Sequence, residues 1–122
     1  MSMHNRALGQ QGERLAERYL IEQGARLLTR NYRIPFAEID LVVEHEGELV
    51  AVEVKTRAID DLEEPVEAIT RRKLQRIVQA LTAYATDTGL LEMPWRIDVV
   101  AIHCEPDGTT PRLDHLRSVY PA

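Results

Sequence analysis

A single cysteine, Cys104, stands in a chain of 122 residues, which excludes an internal disulfide framework and any zinc site built from paired thiolates. Aromatic residues are nearly as sparse, with one Phe, one Trp and four Tyr, so a core has to be assembled from Val, Leu, Ile and Ala. No apolar run approaches membrane-spanning length, and Met1 is not followed by a basic segment and a signal-like apolar stretch. The expected address is therefore the cytoplasm, with no membrane partner. Positive charge is also in short supply: 15 Lys and Arg stand against 20 Asp and Glu, for a formal net charge of -5. That balance argues against a histone-like or tail-type nucleic-acid binder, whose affinity comes from neutralising the phosphate backbone, but it permits an enzyme that meets phosphates locally.

What the chain does have is periodicity. In "ALGQQGERLAERYLIEQG" the residues Leu8, Leu15, Ala16, Tyr19 and Leu20 return at helical intervals, and Gly24 is a natural stop. Gly9 and Gly12 inside this pattern each cost roughly 1 kcal/mol in helix propensity, which points either to close packing or to a later helix start. "ARLLTRNYRI" predicts a strand whose exit is blurred by Pro35. Two stronger strands, "AEIDLVVEH" and "ELVAVEVKTR", flank a short connection at Glu46 and Gly47. Pro65 predicts the opening of a second helix that runs to about Asp87, with Val66, Ile69, Ile77, Ala80, Leu81 and Tyr84 on one stripe. "WRIDVVAIH" predicts a further strand, and "LDHLRSVY" a short closing element.

The order α-β-β-β-α-β plus that closing element predicts one α/β domain over residues 1–122, with a core at about 9–104. Its central sheet should be mixed and flanked by helices, because short turns pair strands antiparallel and a helical crossover permits a parallel pair.

Taking Glu46 and Gly47 as a two-residue turn sets His45 opposite Glu48, Val43 opposite Val50, Leu41 opposite Val52 and Asp40 opposite Glu53. One face of this hairpin, Ile39, Leu41, Val43, Val50, Val52 and Val54, is then wholly aliphatic and is expected to lie under a helix. The other carries Asp40, Glu53 and Lys55 with Val42 and Ala51. Opposed side chains sit about 5 Å apart at Cβ, so two carboxylates there are destabilising unless something neutralises them. A hard divalent cation, Mg²⁺ or Mn²⁺, would do so, with Asp40, Glu53, a backbone carbonyl such as that of Val54, and water as ligands. Lys55 on the same face could then touch a phosphate, orient the attacking water or stabilise developing charge.

The plainer alternative is a hairpin face made polar for solubility, and Glu38, Glu44, Glu46 and Glu48 are read that way. Asp40 is different, because aspartate is depleted in strands and this one lies between Ile39 and Leu41, away from the turn.

Other charged residues also sit where apolar ones belong. Lys73 falls inside the apolar stripe of the second helix, either snorkelling from the core edge or bringing positive charge to a buried phosphate or carboxylate. Arg76 flanks that stripe; Arg71 and Arg72 are either solvated or, with it, part of a phosphate-tracking surface. Glu13 borders the apolar face of the first helix, as an ordinary surface glutamate or a further metal-proximal carboxylate. Asp98, in a strand expected to be central, needs a partner, and Arg96 is the nearest. The four histidines, at 4, 45, 103 and 115, lack metal-site spacing and are assigned no catalytic role. Neither a Gly-rich phosphate loop nor a serine nucleophile elbow occurs.

Asp40, twelve intervening residues, then Glu53, Val54 and Lys55 resembles the signature of the PD-(D/E)XK, or restriction-endonuclease-like, superfamily. With "QGERLAERYLIEQG", "RNYR", "EIDLVV", "VAVEVKTR", "RRKLQRI" and "RIDVVAI", the chain is similar from about 9 to 103 to the YraN family of small bacterial predicted nucleases, themselves distantly similar to archaeal Holliday junction resolvases.

The resemblance implies a restriction-endonuclease-like fold and metal-dependent hydrolysis of DNA phosphodiesters, with branched or distorted DNA among the substrates and RNA left open. It assigns Asp40 and Glu53 to the metal, Lys55 to water activation or phosphate stabilisation, and Glu13 to the acidic cluster. Lys73 matches a basic position of the family, Arg57 the arginine after the catalytic lysine, and Arg96 with Asp98 an Arg-x-Asp of the fourth strand. A homodimer is expected by analogy with resolvases. Ala37 departs from the pattern, occupying a position that is usually glycine. Two other readings stay open: a nucleic-acid-binding or repair-complex protein that keeps the fold without catalysis, and an acidic protein-interaction module.

Overall fold

A computed structural model of the chain describes residues 3–58, 69–104 and 110–121, with side chains from Gly9 onward. The first helix, α1 (Met3–Glu22), is followed by β1 (Arg26–Ile34), β2 (Ala37–His45) and β3 (Glu48–Ala58), then by α2 (Arg71–Thr88), β4 (Trp95–Cys104) and β5 (Arg112–Tyr120). The sheet has strand order β1-β2-β3-β4-β5. Only β3 and β4 pair parallel, across the α2 crossover, and the other neighbours are antiparallel. This is the expected α/β class with its mixed central sheet, and the closing element of undetermined type is a fifth strand.

Local chemistry explains the boundaries. Gly24 at φ 96 ends α1, with the Ala25 N–H returning to the Leu20 carbonyl at 2.9 Å. Glu46 and Gly47 both have positive φ, 54 and 79, the mirror-image turn geometry that matches strand twist and sets the expected register. α2 begins at Arg71, later than the Pro65 signal suggested, because Thr70 caps it: its side chain accepts the Lys73 N–H at 3.1 Å. Pro65 and Val66 lie outside the described residues. Gly89 at φ 75 closes the far end.

Helices cover both faces of the sheet, so there are two apolar layers. Ala16 and Leu20 of α1 pack on Leu41, Val43, Val50, Val52, Val100 and Ile102. Ile77, Ala80, Leu81 and Tyr84 of α2 pack on Ile39, Val42, Leu49, Ala51 and Ile97. Burial on both sides is why β3 and β4 read as nearly continuous aliphatic runs, each large side chain contributing about 1.5–3 kcal/mol.

Gly12 owes its place to contact: a Cβ built on it would lie 1.9 Å from the Thr56 hydroxyl oxygen. Close packing of α1 on β3 therefore explains this glycine, since the helix starts well before it. Among the described residues no helix is long and apolar enough to cross a membrane.

Candidate functional site

The candidate site forms where the sheet switches sides. Arg30 of β1 reaches the α1 layer, pairing with Glu17 at 2.6 Å. Tyr32, two residues on, meets Tyr84 of α2 edge to face, with ring centroids 5.2 Å apart. Strand alternation should send both to one face, and the exception is Asn31 between them, at φ 51. Their partners on β2 follow: Leu41, opposite Arg30, packs under α1, and Ile39, opposite Tyr32, packs under α2.

Ile39 thus leaves the aliphatic face on which simple alternation put it, and Asp40 is the pivot. The β2–β3 register runs as expected from His45–Glu48 to Leu41–Val52 and ends there. Beyond it the Asp40 carboxylate turns toward β3, where Oδ2 accepts the Val54 N–H at 2.8 Å.

Glu53, only 7% exposed, is held by two lysines. Its Oε1 lies 2.7 Å from Lys73 Nζ and 3.7 Å from Lys55 Nζ. Lys73 therefore leaves the apolar stripe of α2 to meet a buried carboxylate, one of the two roles open to it. Burial works against charge on Lys73, but its hydrogen bond to Glu53 and the charge of that carboxylate outweigh this and hold its pKa above the ordinary value. Lys55 moves the other way: burial, followed by the neighbouring Lys73 charge, brings its pKa down, and Arg57 adds to the effect.

Asp40 shows the same crowding with opposite sign. Burial and the charge of Glu53 push it up to about 7, despite the Val54 hydrogen bond, and Glu13 and Glu38 add smaller contributions. Glu13 is raised by burial and by Glu38 and Glu53, which places it at the margin of the acidic group. Glu38, read from sequence as a solubility residue, pairs with Arg33 at 3.1 Å and adds a small charge contribution to that group. Its neighbours Glu44, Glu46 and Glu48 are ion-paired to Arg26, Arg117 and Arg96.

Beside these groups opens a cavity of about 420 Å³ whose lining includes Phe36, Asp40, Glu53, Arg72, Lys73 and Arg76. A wider groove of about 1060 Å³, bordered by Glu13, Arg14, Arg30 and Arg33, meets it at Glu38. Arg71 is exposed at the first position of α2. Ala37 is partly buried against the α2 layer, pairs with Ile34, and lines the same cavity as Asp40 and Glu53. Phe36 went unremarked in the sequence, although its position after Pro35 and before the strand of Asp40 was the available signal.

A fit for metal follows from the donor chemistry. Among the described residues no three His, Cys, Asp or Glu side chains are grouped to hold an ion. A cation here would have Asp40 and Glu53 as its carboxylates and would complete its shell with carbonyl, water or substrate oxygens. That set fits a hard ion such as Mg²⁺ or Mn²⁺ and not a zinc site. Burial first, and the charge of Glu53 second, raise Asp40, and an ion there would favour its charged form against both.

A second polar cluster lies apart from the first. Asp98, fully buried, accepts from Arg96 Nε at 2.9 Å and from the Ser118 N–H at 2.9 Å, and lies 2.8 Å from His115 Nε2. Arg96 also donates to Glu48 at 2.9 Å and contacts His45 Nδ1 at 3.0 Å, while Tyr19 meets His115 Nδ1 at 3.0 Å. The expected Arg96–Asp98 pair is present. The histidines joined to it were invisible to spacing arguments because they come from β2 and β5.

The Uncharacterised protein family UPF0102 has a family model that matches residues 12–102. A UPF0102 protein of Rhodococcus jostii is 40% identical over 117 residues, covering 96% of this chain and 98% of that one. One from Clostridioides difficile is 30% identical over 118 residues, covering 97% and 100%, and one from Shewanella is 44% identical over 95 residues, covering 78% and 87%. Among solved structures, SfsA of Pyrococcus furiosus in complex with Ca²⁺ aligns at TM-score 0.36 and 15% identity. The alignment takes in 93% of this chain and spans 63% of that one, a likeness too loose to transfer fold or chemistry.

Proposed function

The chain belongs to the UPF0102 family, and from that premise we propose that it is a divalent-metal-dependent nuclease of the cytoplasm, hydrolysing phosphodiester bonds of DNA. One observation carries the reading: two carboxylates on adjoining strands, Asp40 and Glu53, interact by charge, and Glu53 pairs with Lys73 and Lys55, beside a cavity lined by Asp40, Glu53, Arg72, Lys73 and Arg76. Acid pairs beside lysines are of use where an anion must be held next to a cation and a water.

Mg²⁺ or Mn²⁺ held by Asp40, Glu53 and a carbonyl such as that of Val54 supplies Lewis-acid charge stabilisation at the phosphate when bound. The chain's own residues do the rest. Arg72 and Arg76 draw the phosphate backbone to the cavity, and Arg57 and Arg71 extend the positive surface. Lys73, paired with Glu53 at 2.7 Å, would be available to a substrate phosphate were Glu53 to serve as a metal ligand. Lys55, whose charged form is disfavoured by burial and by Lys73, holds the attacking water as the ammonium or, as the neutral amine, takes its proton as oxygen adds to phosphorus. The opposite P–O bond breaks in line with its electron pair going to the leaving oxygen, which takes a proton from solvent water. Glu13 contributes negative charge at the margin. Branched or distorted DNA suits a site that reads backbone and shape, and a homodimer would present two such sites to two strands.

The test is a panel of linear, nicked, flap and four-way DNA with matched RNA, each incubated with Mg²⁺ or Mn²⁺. Asp40→Ala and Lys55→Ala are each expected to lower cleavage by at least about 100-fold. An unchanged rate in Lys55→Ala would sink the proposal. The Lys73–Glu53 ion pair, which already neutralises one acid at 2.7 Å, favours a second reading, a nucleic-acid-binding protein without catalysis. Its signature is binding that survives EDTA, with no cleavage of any substrate.

A further inference from the structure

Phe36 is the chain's only phenylalanine, and it is 90% exposed. It follows Pro35 in the turn closed by the Ile34–Ala37 pair, and its φ is 68. With proline first and a left-handed residue second, the turn has the φ pattern of type II, which calls for glycine or asparagine at that second place. A bulky aromatic there is disfavoured twice, once by its backbone and once by leaving an apolar ring in water. Neither core layer gains from it.

The gain lies in where the ring stands. Phe36 borders the cavity that Asp40, Glu53, Arg72, Lys73 and Arg76 also line. Cations beside a flat apolar face match the two halves of a nucleotide, an anionic phosphate and a base with a π-surface. Pro35 fixes the approach of the turn and limits its freedom, so the ring is presented on a stiff hairpin tip.

We infer that Phe36 stacks on an unpaired nucleobase next to a phosphate held by Arg72, Lys73 and Arg76. The substrate class is then nucleic acid with unstacked nucleotides at the site of attack, such as a bulge, flap or gap, and not continuous duplex. The location of that phosphate rests on the nuclease reading. Phe36 is a specificity-determining residue in this scheme; the hydrolytic groups remain Asp40, Glu53 and Lys55.

The experiment uses the full chain with two DNA probes, a duplex carrying a short bulge that contains 2-aminopurine and the same duplex fully paired. Binding is read in EDTA and cleavage in Mg²⁺. Wild type should shift 2-aminopurine fluorescence on binding. Phe36→Ala should lose that shift and bind the bulge roughly 5- to 100-fold more weakly, while paired duplex stays within about twofold. Phe36→Trp should restore both readouts. Phe36→Gly should lose stacking yet melt a few degrees higher, since glycine accepts the left-handed turn, which separates lost recognition from lost folding.

Equal affinity of wild type and Phe36→Ala for the bulge, or equal losses on both probes, would overturn the inference, as would binding to neither. A Phe36-dependent fluorescence shift without cleavage would sink hydrolysis alone. Cleavage that needs Lys55 but ignores Phe36 on the bulged probe would sink stacking alone.

Discussion

Two aspartates, one strand apart in the sheet, show what buried charge is for. Asp98 is fully enclosed and surrounded by complements: against the penalty of burial, His115, Arg96 and the Ser118 N–H bring its pKa below the ordinary value. Asp40 has one backbone donor, and burial, followed by the charge of Glu53, raises it to about 7. A carboxylate whose partners are all supplied by the fold serves the fold. One that is buried beside another acid with a single hydrogen-bond donor has capacity left for a further partner, and this contrast separates the β4–β5 network from the Asp40 cavity.

The comparison can be broken most forcefully at Asp98. Asp98→Ala leaves Arg96 and His115 buried without their shared acceptor, and it should destabilise the chain by about 3–5 kcal/mol in chemical denaturation. Asp40→Asn should act in the other direction. Its amide oxygen can still accept the Val54 N–H, and the repulsion from Glu53 is gone.

The sign of the pH dependence follows from the shift. Between the ordinary value of 3.8 and about 7, the folded chain binds the Asp40 proton more tightly than the unfolded chain does. Metal-free wild type therefore loses stability as pH rises through that window, and Asp40→Asn does not. At pH 8 the variant should be more stable by on the order of 2 kcal/mol, and added Mg²⁺ should narrow the gap by stabilising wild type alone. Asp98 contributes in the opposite sense: its stabilisation is present above 3.8 and lost as pH falls through its lowered folded value. Carbon-detected carboxyl titrations should show the two midpoints on opposite sides of that ordinary value. The smallest effect is expected from Lys73→Met, which removes a cation that interacts with Asp40 and should move the Asp40 midpoint up by less than about one pH unit.

Much of this was legible before any coordinates. The Glu46–Gly47 turn fixes the pairing of five residues on each strand, from His45–Glu48 to Leu41–Val52 but not on to Asp40–Glu53, and both turn residues adopt the left-handed angles it requires. Asp40 stood out because aspartate is rare within a strand, and Lys73 because it interrupted an apolar stripe. The start of α2 was misplaced because Pro65 is a visible opener, whereas the Thr70 cap is weaker in sequence and stronger in the fold.

The side switch at Asn31 is not legible in periodicity, which assumes uniform alternation; asparagine accepts a left-handed φ more readily than other side chains, but its presence alone does not mark a switch within a strand. For the same reason Ile39 was assigned to the wrong layer, and Glu38 was treated as surface decoration. The histidines of the Asp98 network come from distant segments, and His115 joins it only because the closing segment pairs with β4.

The switch also sets how this sheet can be rebuilt. Since Asn31 and Asp40 turn over together, β1 and β2 form one indivisible module: a chimera that takes one strand from a relative and keeps the other would aim their tips at different helices. Grafts across the family should exchange Arg26 to His45 as a block, with the junctions placed in the turns on either side.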